Sequence, residues 1–275
     1  MKTQLVYETV RKALEDLRLS AALAILDSVL ESARVEELAP VEVLGRLFDV
    51  ELAARHDRRV ETNLKFAGLP YRQRLDEFEF DAQPSIDPSV VGRLASLHFL
   101  EEGTNVLVLG PPGVGKTALA VGLGIRALEA GHRIFFIACH DLVGRFRRAV
   151  RMDRTDRLLT TLLRPRLLIL DEIGYTPLER PEATFLFEVV AKRYDRKKSM
   201  VVTSNKSWGA WGEILPDQVM TAAILDRLLH RSVTINIQGE SYRLRQHRKA
   251  GLAPLPLTTQ KGGATPIDHL SNPNR

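Results

Sequence analysis

Eight residues near the middle of the chain, Gly110-Pro-Pro-Gly113-Val-Gly115-Lys116-Thr117, place three glycines, a lysine and a hydroxyl at the spacing G-x-x-x-x-G-K-[ST]. Glycines let backbone N–H groups turn inward where a Cβ would collide, and converging N–H donors suit the oxygens of a triphosphate. Lys116 would meet the β- and γ-phosphates, and the Thr117 hydroxyl would ligate Mg2+. The expected nucleotide contacts are Gly110, Pro111, Pro112, Gly113, Val114, Gly115, Lys116, Thr117 and Ala118. A second group, Leu167-Leu-Ile-Leu-Asp171-Glu172, ends an apolar run in two acids. Asp171 can join the metal shell while Glu172 polarises a water, which predicts hydrolysis of the γ-phosphate rather than its transfer. A third, Met200-Val-Val-Thr-Ser-Asn205, ends in small polar residues. If its strand neighbours that of Glu172, Asn205 would position the water or sense the γ-phosphate; a turn-forming Asn fits equally well on local grounds.

These groups need a scaffold that gathers strand ends. From residue 89 onward, Val106 to Leu109, Ile134 to Ala138, Leu167 to Leu170, Met200 to Thr203 and Val233 to Ile237 are short apolar runs alternating with helical stretches. Their near-continuous apolar character suits strands covered on both faces, so the expected fold is α/β, a parallel sheet of five strands. Residues 1–69 instead read as a small all-α module. Leu14, Leu17, Leu23, Leu26 and Leu30 recur at three- and four-residue steps, and Ser20 is a candidate cap. Pro40 opens a third helix, whose Leu44, Leu47 and Phe48 form an apolar stripe. The charges of Arg55, His56, Asp57, Arg58, Arg59 and Lys65 make either a solvated face or a partner-binding surface. Residues 70–88 lose helical periodicity and read as a linker or an extended lead-in to the next domain; 249–275, with four prolines and Gly262-Gly263, read as a disordered tail.

The chain of 275 residues is 44% hydrophobic, enough for a sizeable core. Its first residues mix both charges, and no apolar run is long enough to cross a bilayer, so the expectation is a soluble, cytoplasmic protein with no membrane partner. The single cysteine, Cys139, follows the run Ile134 to Ala138 and is expected to be a buried thiol.

Most of the net charge of +5 is concentrated between Gly144 and Arg157, where six arginines face only two aspartates. At about 100° per residue, Arg147, Arg148, Arg151 and Arg154 fall within an arc of about 120°, with Leu142, Val143, Phe146, Ala149 and Val150 opposite. Asp153 falls on the apolar side, so a helix is expected to end near Met152 and a second to begin before Leu158. Four cations without an interleaved carboxylate suggest a face for phosphates, although a solvated helix surface remains the competing reading.

Together these stretches resemble the AAA+ ATPases, and within them the IstB/DnaC group of transposition helper ATPases and helicase loaders. The resemblance rests on Gly110 to Thr117, Leu170-Asp-Glu-Ile-Gly-Tyr-Thr-Pro-Leu178, Thr203-Ser-Asn205, Ala223-Ile-Leu-Asp-Arg-Leu-Leu-His230 and Gly239-Glu-Ser-Tyr-Arg-Leu244. The N-terminal Leu69-Pro-Tyr-Arg and Leu75-Asp-Glu-Phe-Glu-Phe80 favour the IstB branch. It implies a P-loop AAA+ core over 89–248, ATP and Mg2+ as cofactors, and a site between subunits. Lys116, Glu172, Asn205 and a neighbour's Arg227 would be catalytic, with Arg231 the weaker candidate for the last role. It further implies sequence-nonspecific duplex DNA along the paired helices bearing Arg147, Arg148, Arg151 and Arg154. Homo-oligomerisation on DNA with ATP, recruitment of a transposase and disassembly on hydrolysis complete the expectation. No helical lid follows Arg231, leaving Arg243 or Arg245 as substitutes for its sensor arginine. A helicase loader and a nucleotide-switched scaffold with negligible turnover are the alternatives.

Overall fold

The leucine spacing of the N-terminal region yields three helices, α1 (Lys2–Asp16), α2 (Ser20–Val35) and α3 (Pro40–Phe66), in a computed structural model that describes residues 2–242 and 245. Leu14, Ala22, Leu26, Val29 and Leu47 form their small core. Ser20 is not the cap expected of it. The first backbone donors of α2, Ala21 and Ala22, bond instead to the Glu51 carboxylate of α3, at 2.8 and 3.3 Å. Arg55 and Arg58 also turn onto Glu51. Burial opposes the Glu51 charge, but Arg55 and the two N–H donors prevail and hold its pKa below the ordinary carboxylate value. The cluster around residue 55 therefore ties helix to helix, and His56 Nε2 lies 2.9 Å from the Glu129 carbonyl of the second domain.

Beyond this module come α4 (Pro88–Ala95), α5 (His98–Glu102), β1 (Asn105–Leu109), α6 (Lys116–Glu129), β2 (Ile134–Ala138), α7 (Cys139–Arg151), α8 (Thr155–Leu163), β3 (Leu167–Ile173), α9 (Arg180–Asp195), β4 (Met200–Ser204), α10 (Gln218–Leu229) and β5 (Ser232–Asn236). All strand pairs are parallel, in the order β2-β3-β4-β1-β5. The strand runs are apolar on both faces because two layers cover them. Leu107, Ile137, Leu168 and Val202 face α7–α10, whereas Val106, Ile134, Ile169 and Val201 face α4–α6. The predicted break in the arginine-rich stretch falls between α7 and α8, where Asp153 takes φ +50°.

One expectation changes. Residues 70–88 do not hang between domains: short turns at Leu75–Glu77 and Phe80–Ala82 pack on α6, and Phe78 and Ile86 are buried in its core layer. The charges that suggested a linker occupy the outer side of a segment whose aromatics point inward. The helical module is also joined to the sheet, since Phe136 on β2 donates its N–H to the Ala67 carbonyl at 2.7 Å. The tail 249–275 lies outside the described residues.

A buried arginine fastens the lower end of the sheet, where strands begin. Arg193 on α9 has no exposed surface and donates to the carbonyls of Leu162, Pro165, Arg166 and Ser199 at 2.6–3.2 Å. Burial, and then Arg166, push its pKa down, and the four acceptors supply the counterweight. Removing it takes the side-chain donor from four carbonyls at once, of which Ser199 keeps the N–H of Leu168. Arg193→Ala is expected to lower unfolding free energy by about 3 kcal/mol, read as a shifted midpoint in urea denaturation; an unshifted midpoint would contradict this role.

Candidate nucleotide site

The loop after β1 follows from its glycines. Gly110, Gly113 and Gly115 take φ of +150°, +80° and +98°. A Cβ on Gly110 would lie 2.4 Å from the Ile237 carbonyl oxygen, and one on Gly113 would lie 2.1 Å from Ser241 Oγ. The loop runs into the N-terminus of α6, whose free N–H groups and dipole favour an anion. Lys116, almost wholly buried, crosses beneath the loop and donates from Nζ to the carbonyls of Gly110 and Pro111 at 2.8 and 2.7 Å.

Three strand ends converge beside it. Thr117 Oγ1 donates to Asp171 Oδ2 at 2.9 Å, and Thr203 on β4 donates to Asp171 Oδ1. The same Thr203 hydroxyl accepts the N–H of Glu172 at 2.9 Å. β3 extends to Ile173, past the end expected at Leu170, so both acids lie within the strand. The β3–β4 register shifts between Leu170 and Ile173, and Glu172 takes φ +62°, an uncommon conformation for a non-glycine residue. That local irregularity separates two adjacent acids: Asp171 is buried among hydroxyls, while Glu172 reaches the cavity half-exposed. His140 Nδ1, at the start of α7, stands 3.9 Å from Glu172 Oε2.

β4 does neighbour β3, and Asn205 follows it; its Oδ1 is buried without a hydrogen-bond donor among the described residues. A Cβ on Gly174 would stand 2.6 Å from that oxygen, so the loop after β3 closes directly against it.

The cavity over the loop has a volume of about 230 Å3. Residues 113–118, Glu172 and Tyr175 form one side, with Tyr71, Phe78 and Tyr242 among those opposite. Pro111 and Pro112 are exposed on the loop's outer limb. The far wall is the supposed linker together with the chain leaving β5. Tyr242 donates its N–H to Gly113 O and its hydroxyl to Glu79 Oε1, both at 2.9 Å. Sequence reasoning missed this wall, although Phe78 and Phe80 are aromatic interruptions in an acidic stretch and signal burial. It also missed Thr203, whose hydroxyl faces β3 only once β4 is known to be its neighbour. The glycine loop that a Cβ would fill and the hydroxyl–carboxylate pair fit a nucleoside triphosphate with a hard divalent cation.

The arginines divide. Leu142, Phe146 and Ala149 seat α7, with Phe146 stacked on Phe185 at 4.7 Å between centroids; Val150, expected on that face, is exposed. Arg148 and Arg151 are exposed on the helix, and Arg154 sits in the link to α8. Arg147 breaks the expectation of cations without a carboxylate: Nε meets Glu182 Oε1 at 2.6 Å and Nη2 meets Glu179 Oε1 at 3.1 Å. Helical spacing along one segment could not reveal acids supplied by α9. Arg227 on α10 lies outside the cavity of its own chain, its guanidinium 5.0 Å from the Phe187 ring centre and bonded to the Ala223 carbonyl. Arg231 is exposed, and Arg243 lies outside the described residues. Cys139 is buried, as expected, and burial followed by the nearby Glu182 pushes its thiol up to about 11.

A parallel five-stranded sheet with this loop and acid-ended strand defines an AAA+ P-loop protein. The chain belongs to the family described as IstB-like ATP binding protein, whose model matches residues 12–250. It is 48% identical over 227 residues to the insertion sequence IS21 putative ATP-binding protein of Pseudomonas aeruginosa, covering 82% of this chain and 85% of that protein. The insertion sequence IS5376 putative ATP-binding protein of Geobacillus stearothermophilus is 43% identical over 218 residues, 79% of this chain and 86% of that one. Among solved structures, the DnaC helicase loader is similar at a TM-score of 0.50 and 20% identity, over 62% of this chain and 97% of that one. The replication initiator DnaA, bound to AMPPCP and single-stranded DNA, gives 0.52 and 14%, over 68% and 58%. At these identities the structural likeness describes the fold.

Gly113→Ala imposes a methyl on Ser241 and a left-handed conformation on an L residue. That strain alone is on the order of 1–2 kcal/mol, so ATP affinity should fall about tenfold or more with the fold retained. Titration with a fluorescent ATP analogue, with circular dichroism as the fold control, measures it.

Proposed function

We propose that this chain is an ATP-hydrolysing helper of an insertion-sequence transposase, which assembles with ATP on duplex DNA and disassembles on hydrolysis. The observation that carries the ATPase part is the division of labour between adjacent acids: Thr117 and Thr203 hold Asp171, while the backbone turn at Glu172 aims the second carboxylate at the cavity. Bound Mg2+ would neutralise charge between the β- and γ-phosphates. Thr117 and Asp171 are the residues that would hold it, Lys116 would reach the phosphates, and Glu172 would take a proton from the attacking water; Asn205, its amide oxygen buried against Gly174, is not on the cavity lining.

Family membership, and relatives named as insertion-sequence ATP-binding proteins, support the transposition setting over a helicase loader. For DNA, the support is the exposed Arg148, Arg151 and Arg154, which suit phosphates without reading bases. Arg147 serves here as a strut between α7 and α9 rather than as a phosphate ligand.

Glu172→Gln should keep ATP binding while steady-state hydrolysis, stimulated by duplex DNA in the wild type, falls by about two orders of magnitude or more. Equal slow rates in both proteins, unmoved by DNA, would support the nucleotide-switched scaffold instead.

Arg227 is assigned to a neighbour's site because it lies away from its own cavity and its charge is not consumed by a carboxylate. In mixtures of Arg227→Ala with Glu172→Gln, each inactive alone, subunits that combine an intact Glu172 with an intact neighbouring arginine should recover ATPase activity. Failure of any mixing ratio to do so would overturn the assignment in trans.

A further inference from the structure

On the far side of α8 from the α7 contact lies a groove of about 550 Å3 that the nucleotide site does not use. Leu159 and Leu163 belong to its floor, and Arg164, Lys192, Arg196 and Lys198 project around it. Of these four cations, Lys192 alone meets a carboxylate among the described residues. Lys192 pairs with Glu188 at 2.8 Å, and Lys198 Nζ is held by the carbonyls of Leu163 and Arg164. Arg164 and Arg196 are exposed and have no carboxylate within 4.0 Å among the described residues. Asp156 is the acid on the groove's lining, and Asp195 lies on the adjoining surface of α9. Behind the groove sits buried Arg193, bonded to carbonyls alone. Lys198 has its pKa lowered by burial and then by Arg193, Arg196 and Arg166, which are mutually repelling cations.

Such a concentration of like charge costs stability in the free protein and is relieved by an anion. The direction of α8 indicates which kind. Its nine residues span about 14 Å, with Arg154 preceding one end and Arg164 following the other. Exposed cations thus continue from Arg148 and Arg151 through Arg154 and Arg157 to the groove. A single phosphate would engage one point of that track; a polymer with regularly spaced phosphates can engage all of it.

We propose that the groove between α8 and the C-terminal end of α9 receives a phosphodiester backbone, extending the path that starts on α7. This rests on the reading of α7 as DNA-facing. The groove contributes affinity and salt dependence, with no base readout.

The test uses the full chain with ATP and a duplex several turns long, following binding by fluorescence anisotropy across a salt series. Arg164→Ala/Arg196→Ala should lower the magnitude of the log–log salt slope by about 2, and Arg164→Lys/Arg196→Lys should restore it. Arg148→Ala/Arg151→Ala is the separate arm for α7. A lowered slope in both alanine variants supports the extended path. A slope lowered by the α7 variant and untouched by the groove variant overturns the groove and leaves the DNA-facing helix standing. A slope lowered only by the groove variant overturns the α7 reading and with it the extended path, leaving the groove as a separate phosphate contact; no change in either overturns both. An unchanged DNA slope accompanied by lost binding of a polyglutamate peptide would assign the groove to an acidic peptide and overturn the proposal. Unchanged unfolding midpoints and ATP binding establish that the variants are folded.

Discussion

One buried carboxylate organises the upper edge of the sheet. Asp171 accepts from Thr117 at the start of α6 and from Thr203 on β4, so three consecutive strands of the sheet order, β3, β4 and β1 with its loop, meet at two oxygen atoms. A buried carboxylate is costly unless its lone pairs are filled, which makes the two hydroxyls obligatory and fixes the loop relative to the strand. The Thr203 hydroxyl also accepts from Glu172 N–H, so the same contact stabilises the left-handed turn that directs the next acid elsewhere. Seating Asp171 and directing Glu172 to the cavity are consequences of a single hydrogen-bonded group.

The opposite edge is held by the inverse device, a buried cation surrounded by carbonyls. Arg193 gathers the end of α8 and the beginnings of β3 and β4, the elements whose other ends form the site. Strands fixed below by Arg193 and above by Asp171 leave little freedom to slide, which is what a site built from strand ends requires.

How far the sequence could be read depended on whether a residue's partner was local. Gly110 to Thr117 act through backbone angles within one turn, and continuous apolar runs indicate strands buried on both faces; both were visible. The helix break near Met152 was visible for the same reason, because it follows from spacing along one element. Arg147 was misread because Glu179 and Glu182 come from another helix, and Ser20 because Glu51 fills its capping role from 30 residues away. The 70–88 segment was misread because its acids dominate the composition while Phe78 and Ile86 determine where it packs. Glu172's conformation follows from a register shift, and register exists only between strands.

The packing of that segment has a consequence for how the nucleotide and the helical module communicate. Phe78 lies where a Cβ on Gly115 would be 3.1 Å from its ring, and Tyr242 bonds both Gly113 and Glu79. The lead-in from α3 and the exit from β5 are therefore fastened to each other and to the phosphate loop, and a ligand entering the loop must be accommodated by both. α3 is in turn joined to the core through His56 on Glu129 and Ala67 on Phe136. Contacts run without interruption from loop to lead-in to helical module, whereas α7 approaches Glu172 from outside the cavity, through His140. A change at the phosphate loop and a change at Glu172 would thus reach the rest of the molecule by separate routes, the first through the lead-in to the helical module and the second through α7.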